Sequence, residues 1–501
     1  MTILGISAGF HDAAVSVINT HGDILFAGHA ERYSKIKNDP HINDQLIADA
    51  LSYGNPELVA YYERPWVKKI QQLYSGQYCE AVDFKNFTLG QYIRKHISVP
   101  VHQQRLLQCP GKYMSHHLSH AAGGFQTSPY NKATVVVIDA IGELDTISIW
   151  AAEYDSCGKA KYKKLWGQRY PHSIGLFYSA MTQRVGLKPN EEEYIMMGMS
   201  AYGLPNLGDL LKRRLVQDEW NIKFKDNLHL GLDPDFMKDA KNEDLASLAQ
   251  DLCENLVYNV IARARSFKWS NNLVYMGGVA LNCLANRNLG DYFDNIWIMP
   301  NPGDAGSSLG AAALVYKKRL NWTSTFLGAD ISGAYPVNNV LDHLLSDKIV
   351  GVASGRAEFG PRALGNRSLL ADPRGKEIKE LVNDIKRRQK FRPFAPVILE
   401  ELVDDYFIVP SGWSDSRYMQ LVGDCRFPNL FPAICHHDNT SRIQTVPKDG
   451  SGIRELLEKW FVVTGCPMLL NTSLNIRGEP MVNDRGDADR FEQLYNIKVC
   501  S

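Results

Sequence analysis

The chain has no excess of charge, with lysine plus arginine numbering 55 and aspartate plus glutamate also 55. A balanced surface lacks the broad basic field that nucleic acid or an anionic membrane selects, although local basic clusters remain. Cysteine is sparse and unpatterned, nine residues from Cys79 to Cys500 without a CxxC pair. The odd count argues against a disulfide framework, and the spacing against a structural zinc knuckle. No apolar run reaches membrane-spanning length. Thr2 to Ser7 reads as a short strand, without the basic n-region or apolar h-region of a leader. These absences predict an untargeted, soluble, cytoplasmic protein with a small-molecule partner. Nucleic acid and membrane are disfavoured, and a homo-oligomer is left open.

What the sequence does have is size: 501 residues, 45% hydrophobic and 22% charged, more than one hydrophobic core usually spans. Its most informative local feature is His116-His117-Leu118-Ser119-His120, because an HxxxH spacing sets two imidazoles on one helical face where they can grip a divalent metal. Such pairs also arise on ordinary amphipathic helices, so the rest of the chain has to decide. His117 lies about 100° round the helix from its neighbour and is expected to pack rather than ligate.

Organisation follows from repeated strand patterns. Ile3 to Ser7, Ala14 to Ile18 and Ile24 to Ala27 form a β-meander around the turn Ala8-Gly9-Phe10-His11-Asp12. A similar pattern recurs at Thr134 to Ile138, Asp139-Ala140-Ile141-Gly142-Glu143 and Thr146 to Trp150. The first domain therefore reads as α/β and internally duplicated, in the manner of the actin/hexokinase-like (ASKHA) architecture, whose turns bring backbone amides to phosphates. Leu273 to Asn282 is a strand and turn whose Gly277-Gly278 pair lets the chain pass close to an adenine or ribose. Asn301 to Ser308, with Gly303 and Asp304, opens an alanine-rich helix and makes a phosphate and metal corner. Polar residues between about Asn321 and Ala334 mark a boundary, which predicts domains 1–325 and 335–501.

The second domain carries Lys386-Arg387-Arg388-Gln389-Lys390-Phe391-Arg392, with Arg356, Arg362 and Arg367 upstream. These arginines stand in glycine- and proline-bearing frames suited to clamping a phosphate or carboxylate bidentately. The segment Leu469 to Asn475 ends a strand with amide and hydroxyl donors. Together with Arg442 they suggest an anion pocket.

Across nearly its whole length the chain resembles the NodU/CmcH-type O-carbamoyltransferases, relatives of which decorate antibiotics and nodulation factors. The resemblance rests on separated blocks: Gly9-Phe10-His11-Asp12-Ala13-Ala14, Ala30-Glu31-Arg32, His117-Leu118-Ser119-His120-Ala121, Pro171-His172-Ser173-Ile174-Gly175, Gly277 to Cys283, Gly303-Asp304-Ala305-Gly306, Glu358 to Ser368 and Asn471-Thr472-Ser473. It implies an ASKHA-type first domain joined to a YrdC-like α/β domain, whose KxR and SxN elements stand here as Lys386-Arg387-Arg388 and Ser473-Leu474-Asn475.

The chemistry so implied starts from carbamoyl phosphate, bound by Arg362, Lys386, Arg388, Arg392 and Arg442 with Asn471, Ser473 and Asn475. It continues with ATP, carried with Mg2+, to give carbamoyl-adenylate and pyrophosphate. His116, His120, Asp139 and Asp304 would hold a divalent metal, with iron(II) favoured over zinc or manganese. His11, Ser173, Gly277, Gly278, Asn282, Gly303 and Asp304 would hold the nucleotide. His11 or Asp139 would orient or deprotonate the hydroxyl of a small-molecule acceptor such as a sugar, nucleoside or natural product. The catalytic set is then His11, Asp139, Lys386, Arg388 and Arg442. Tyr61, Tyr62, Glu63 and Trp66 are candidates for an acceptor cleft.

Departures from the family pattern are Ile195 where lysine is usual, Gln389 where glutamate is frequent, and a carboxy terminus whose closing helix and strand are expected to be shortened after Asp489. Three other readings compete. A tRNA threonylcarbamoyl-type modifier shares both domain types but ordinarily needs a basic stripe. A metalloprotease lacks its HExxH glutamate. A non-catalytic ATP-binding scaffold leaves the arginines of the second domain without a purpose.

Overall fold

The computed structural model describes residues 2–501 apart from 83, 85, 86, 205–207, 388, 390, 391, 393 and 414. The chain divides into two compact units. One comprises Met1–Ser34, Asn38–Leu281 and Asp291–Ser324, and the other Lys35–Lys37, Asn282–Gly290 and Thr325–Ser501. Both are mixed α/β. Among the described residues no helix is long and apolar enough to cross a membrane.

The first unit contains two five-stranded sheets of one design. In the first, β1 (Ile3–Ser7), β2 (Ala14–Ile18) and β3 (Ile24–His29) form an antiparallel meander, and β4 (Leu58–Tyr61) and β5 (Gly111–Tyr113) extend it in parallel beyond β1. In the second, β6 (Lys132–Gly142), β7 (Asp145–Tyr154) and β8 (Ala160–Arg169) form the meander. There β9 (Asn272–Met276) and β10 (Asn295–Trp297) extend it in parallel beyond β6. Every residue of β1 and β2 is buried, which is why these strands read as continuous apolar runs rather than alternating ones. Three helices frame the centre: α1 (His116–Thr127), α2 (Ile174–Arg184) and α3 (Ser307–Tyr316). The helix α1 packs on β6 and β9, α3 packs on β1, β2 and β4, and the two helices pack on each other.

The second unit is built on a six-stranded mixed sheet. In spatial order it runs Gln444–Val446, Ala395–Leu399, Met468–Ser473, Arg367–Ala371, Ile349–Ala353 and Val499–Cys500. Its core gathers these strands with Trp460, Phe431 and Phe491. One expectation is corrected here. The stretch read as a polar interruption contains a strand, Phe326–Ile331, paired antiparallel with Gly355–Glu358, and its apolar residues alternate too loosely to announce it. The chain closes with a helix and a strand: Arg485–Tyr495 starts on an Asp484/Asp487 capping box, and Val499–Cys500 pairs in parallel with Ile349–Ala353. Asn282 belongs to the second unit although Gly277 and Gly278 belong to the first.

Candidate active site

The first unit brings four predicted side chains to one buried point. His116 and His120, one turn apart on α1, meet Asp139 from β6 and Asp304 from the single 3-10 turn before α3. Four ligand atoms, one from each, lie within 4.8 Å of one another. His116 Nε2 stands 3.2 Å from both Asp139 Oδ2 and Asp304 Oδ1. His120 Nε2 stands 3.1 Å from His116 Nε2, 3.2 Å from Asp304 Oδ1 and 3.4 Å from Asp139 Oδ2.

The donor set fits a divalent cation. His120 Nδ1 lies 3.0 Å from the carbonyl oxygen of Pro302. A carbonyl has no proton to give, so Nδ1 carries the hydrogen and donates it, and Nε2 presents its lone pair to the cluster. Two neutral imidazoles and two carboxylates then offer four ligands and two negative charges, matched to one doubly charged ion of nitrogen- and oxygen-binding character. Burial opposes charge on every member, yet the opposite charges outweigh it. Asp304 raises His116 well above its ordinary value, while His116 and His120 hold Asp139 well below its own.

The end of β6 that supplies Asp139 is held tightly. Burial disfavours the charge of Asp139, and the Gly278 amide answers by donating to Asp139 Oδ1 at 3.3 Å. The Gly277 amide donates to the Pro302 oxygen at 2.9 Å, so one carbonyl fixes both the glycine pair and His120. Gly277 has φ +93°, and a Cβ there would lie 2.2 Å from the Ile138 oxygen, which is why no other residue fits. Ser173 caps α2, accepting from the Leu176 amide at 3.1 Å and donating to the Ala140 oxygen at 2.7 Å. Its hydroxyl therefore braces the Asp139-Ala140 backbone. Gly303 lies immediately before Asp304 with open space beside its Cα.

The strand continues over the histidines at Gly142, where a Cβ would stand 2.4 Å from Cδ2 of both His116 and His117. Gly142→Ala is expected to displace both rings and to destabilise the first unit by about 1–3 kcal/mol, the usual cost of overpacking. Chemical denaturation checks it, and an unchanged midpoint would contradict the close packing described.

His11, on the β1–β2 turn, reaches the edge of the cluster with Nε2 3.7 Å from Asp304 Oδ2 and Nδ1 3.1 Å from Asp12 Oδ2. Burial lowers its pKa, but Asp12 and Asp304 outweigh that and raise it to about 9. His117 turns off this face, its Nδ1 2.7 Å from Ser148 Oγ. Of the acceptor-cleft candidates, Tyr62 and Glu63 are buried, Tyr61 donates to the Ala8 oxygen, and Trp66 alone is exposed.

The second unit gathers a different set. Lys386 ends the helix α4 (Lys376–Lys386), and its ammonium donates to the Ser473 oxygen at 2.6 Å and to Asn475 Oδ1. Ser473 Oγ also donates to Asn475 Oδ1, at 2.7 Å. The KxR lysine and the SxN pair are thus one hydrogen-bonded group. Asn471 Nδ2 donates to Gln444 Oε1 at 2.7 Å and to the Ala363 oxygen at 3.1 Å, while its Oδ1 is buried without a protein partner. Burial pushes the Arg442 guanidinium down from its ordinary value against the opposing pull of Cys283, and its Nε is buried without a partner. Arg362 and Arg392 are half-buried. Arg388 lies outside the described residues.

Two upstream arginines do not serve as anion clamps. Arg367 is fully buried and donates to the oxygens of Ser354, Asn366, Ala329 and Asn483. Arg356 donates to those of Leu327 and Gly328. Both tie strands together. Glu358 Oε1 accepts from the Leu364, Asn366 and Arg367 amides and shapes the loop around Arg362. Asn282 Oδ1 accepts from the Ala285 amide at 3.1 Å, a local turn bond. Ile195 is buried at 3% exposure, where a lysine ammonium would need its own counter-charge.

Two α/β units, the first with a buried His2Asp2 cluster and the second with a lysine-serine-asparagine group, carry the site. Residues 2–313 match the family described as Carbamoyltransferase N-terminus, and residues 341–500 the family described as Carbamoyltransferase C-terminus. The chain belongs to this carbamoyltransferase family and is a carbamoyl-transferring enzyme. It is 31% identical to the uncharacterized protein sll1178 of Synechocystis sp., with 97% of this chain and 93% of that protein covered. It is 28% identical to nodulation protein NolNO of Sinorhizobium fredii, with 95% and 76% covered. Full-length HypF in its phosphate- and nucleotide-bound form superposes with a TM-score of 0.34 at 15% identity, over 63% of this chain and 55% of HypF, a likeness too loose to argue from.

Proposed function

We propose that the protein is an ATP-dependent O-carbamoyltransferase of the cytoplasm, with an ASKHA-type transfer domain over residues 1–325 and a YrdC-like adenylate-forming domain over residues 335–501. Carbamoyl phosphate enters the second domain, where Arg362, Lys386, Arg388, Arg392 and Arg442 neutralise it. One water molecule hydrolyses it to carbamate and inorganic phosphate, and further water is kept out. A carbamate oxygen attacks the α-phosphorus of ATP and pyrophosphate leaves, giving carbamoyl-adenylate. Positioning and charge neutralisation supply the acceleration, and exclusion of water preserves the unstable carbamate.

In the first domain an acceptor hydroxyl attacks the carbamoyl carbon and AMP departs. His116, His120, Asp139 and Asp304 would hold the metal, iron(II) by preference, and such an ion when bound supplies Lewis acidity toward phosphate oxygens. His11, its ring protonated near neutral pH, orients the hydroxyl, Asp139 is the alternative group that orients or deprotonates it, and Gly277, Gly278 and Gly303 leave room for the nucleotide. The hydroxyl of Ser173 acts through the Asp139-Ala140 backbone. The acceptor is a small hydroxylated molecule.

The observation that carries this reading is the charge-matched His2Asp2 cluster on a chain whose two halves both match carbamoyltransferase families. Mixing the enzyme with ATP, Mg2+ and carbamoyl phosphate tests it. Pyrophosphate is expected, and formation of ADP instead would overturn the adenylate route.

A further inference from the structure

We infer that Glu63 is a positioning residue for His116: its carboxylate receives the Nδ1 hydrogen of that ring and so fixes which nitrogen faces the metal cluster. The inference rests on the reading of His116, His120, Asp139 and Asp304 as a metal centre, and it assigns the support of that centre to a residue outside it.

The two histidines of α1 differ in one respect. His120 Nδ1 has the Pro302 carbonyl at 3.0 Å. His116 Nδ1 is buried and has no hydrogen-bond partner. The acidic oxygen that faces it is Glu63 Oε1 at 3.8 Å, beyond hydrogen-bond length but within one small rotation of the carboxylate. A buried imidazole nitrogen left unpaired costs free energy. Its other nitrogen already points at two carboxylates. Placing the hydrogen on Nδ1, toward Glu63, is the arrangement that leaves Nε2 free to ligate, the carboxylate–histidine–metal relay common in such sites.

Glu63 is itself held for that task. It is 6% exposed. Burial raises its pKa, but Lys68, with Nζ 3.3 Å from Oε1, and His116 outweigh that and keep it lowered. Its neighbours in sequence are pinned on both sides. The Tyr62 oxygen accepts from Ser119 Oγ of α1 at 3.1 Å, and the Tyr62 ring lies 5.0 Å from that of His116. Arg64 forms a forked pair with Glu143, donating from Nε to Oε1 at 3.0 Å and from its backbone amide to the same oxygen at 2.8 Å. Glu143 follows Gly142 directly at the end of β6, the strand that carries Asp139 and whose end closes over His116. The ligand Asp139 and the support Glu63 are thereby locked to each other through Arg64. Three consecutive residues touching one histidine, or the strand end above it, form a built support rather than a chance neighbour.

Metal-free wild-type protein and the Glu63→Gln variant, both checked by circular dichroism, should be titrated with Co2+, whose visible absorption reports ligand geometry. Wild type is expected to bind one equivalent at the cluster. Glu63→Gln, nearly the same shape but uncharged, is expected to bind about 10–100-fold more weakly and with an altered absorption envelope. Glu63→Asp, which restores the charge, is expected to recover part of the affinity. Binding by Glu63→Gln within twofold of wild type with the same spectrum would overturn the role of Glu63 and leave the metal centre standing. A wild type that takes up no Co2+ would instead end the metal-centre reading on which it rests.

Discussion

His120→Ala is expected to abolish tight metal binding and to slow carbamoyl transfer by about a thousandfold, while formation of carbamoyl-adenylate survives. His120 supplies one of four ligand atoms in the cluster. Its loss leaves three ligand atoms, from His116, Asp139 and Asp304, at a buried position. Several kcal/mol of charge stabilisation depend on such a site, and about 4 kcal/mol corresponds to roughly a thousandfold in rate. The variant should therefore yield about one pyrophosphate per enzyme from ATP and carbamoyl phosphate and then stall, with AMP released slowly. Metal analysis of the purified protein, with pyrophosphate and AMP followed separately, checks both parts. Wild-type metal content would show that the cluster is a structural ion network.

Arg442→Ala is expected to have the opposite profile. Arg442 is a half-buried cation with a buried, unpartnered Nε and a pKa lowered by desolvation. Among the described residues no carboxylate is paired with it, and such a cation is what an anionic substrate completes. Lys386, by contrast, already donates to Ser473 and Asn475, so it contributes potential and shape more than a free donor. Removing Arg442 should lower the rate of pyrophosphate formation about 10²–10³-fold, the loss found when one preorganised donor is taken from a developing anion. Metal content should stay at the wild-type level. Unchanged pyrophosphate release would move the anion site elsewhere.

How much of this was legible in the sequence depends on the range of each contact. The His116 and His120 pair is a local spacing, and helix geometry alone makes it readable. The duplicated strand patterns were readable for the same reason, and they appear as two sheets of one order. Asp139, within the strand β6, and Asp304, in a 3-10 turn, are far from the histidines in sequence and needed the family resemblance to be joined to them. The Glu63 approach to His116, the Arg64–Glu143 fork and the shared Pro302 carbonyl left no local trace, because a backbone oxygen has no letter of its own. Arg356 and Arg367 misled in the other direction. Their glycine- and proline-rich surroundings suit an anion clamp, yet those same turns bring carbonyl oxygens within reach of the guanidinium, and the carbonyls win. Asn282 groups with the second unit, which is built from discontinuous segments and cannot be seen along the chain.

The route through an adenylate marks its product with an oxygen atom. When carbamate attacks the α-phosphorus, one of its oxygens becomes the bridge, and that oxygen stays with AMP when the carbamoyl carbon is attacked by an alcohol or by water. Carbamoyl phosphate labelled with oxygen-18 in its carbonyl group should therefore deliver the label into the phosphoryl group of part of the AMP, since the two carbamate oxygens are equivalent. Mass spectrometry of AMP from a reaction with ATP and no added acceptor is enough to read it. Labelled AMP is the result predicted here, and AMP formed without any label would contradict it.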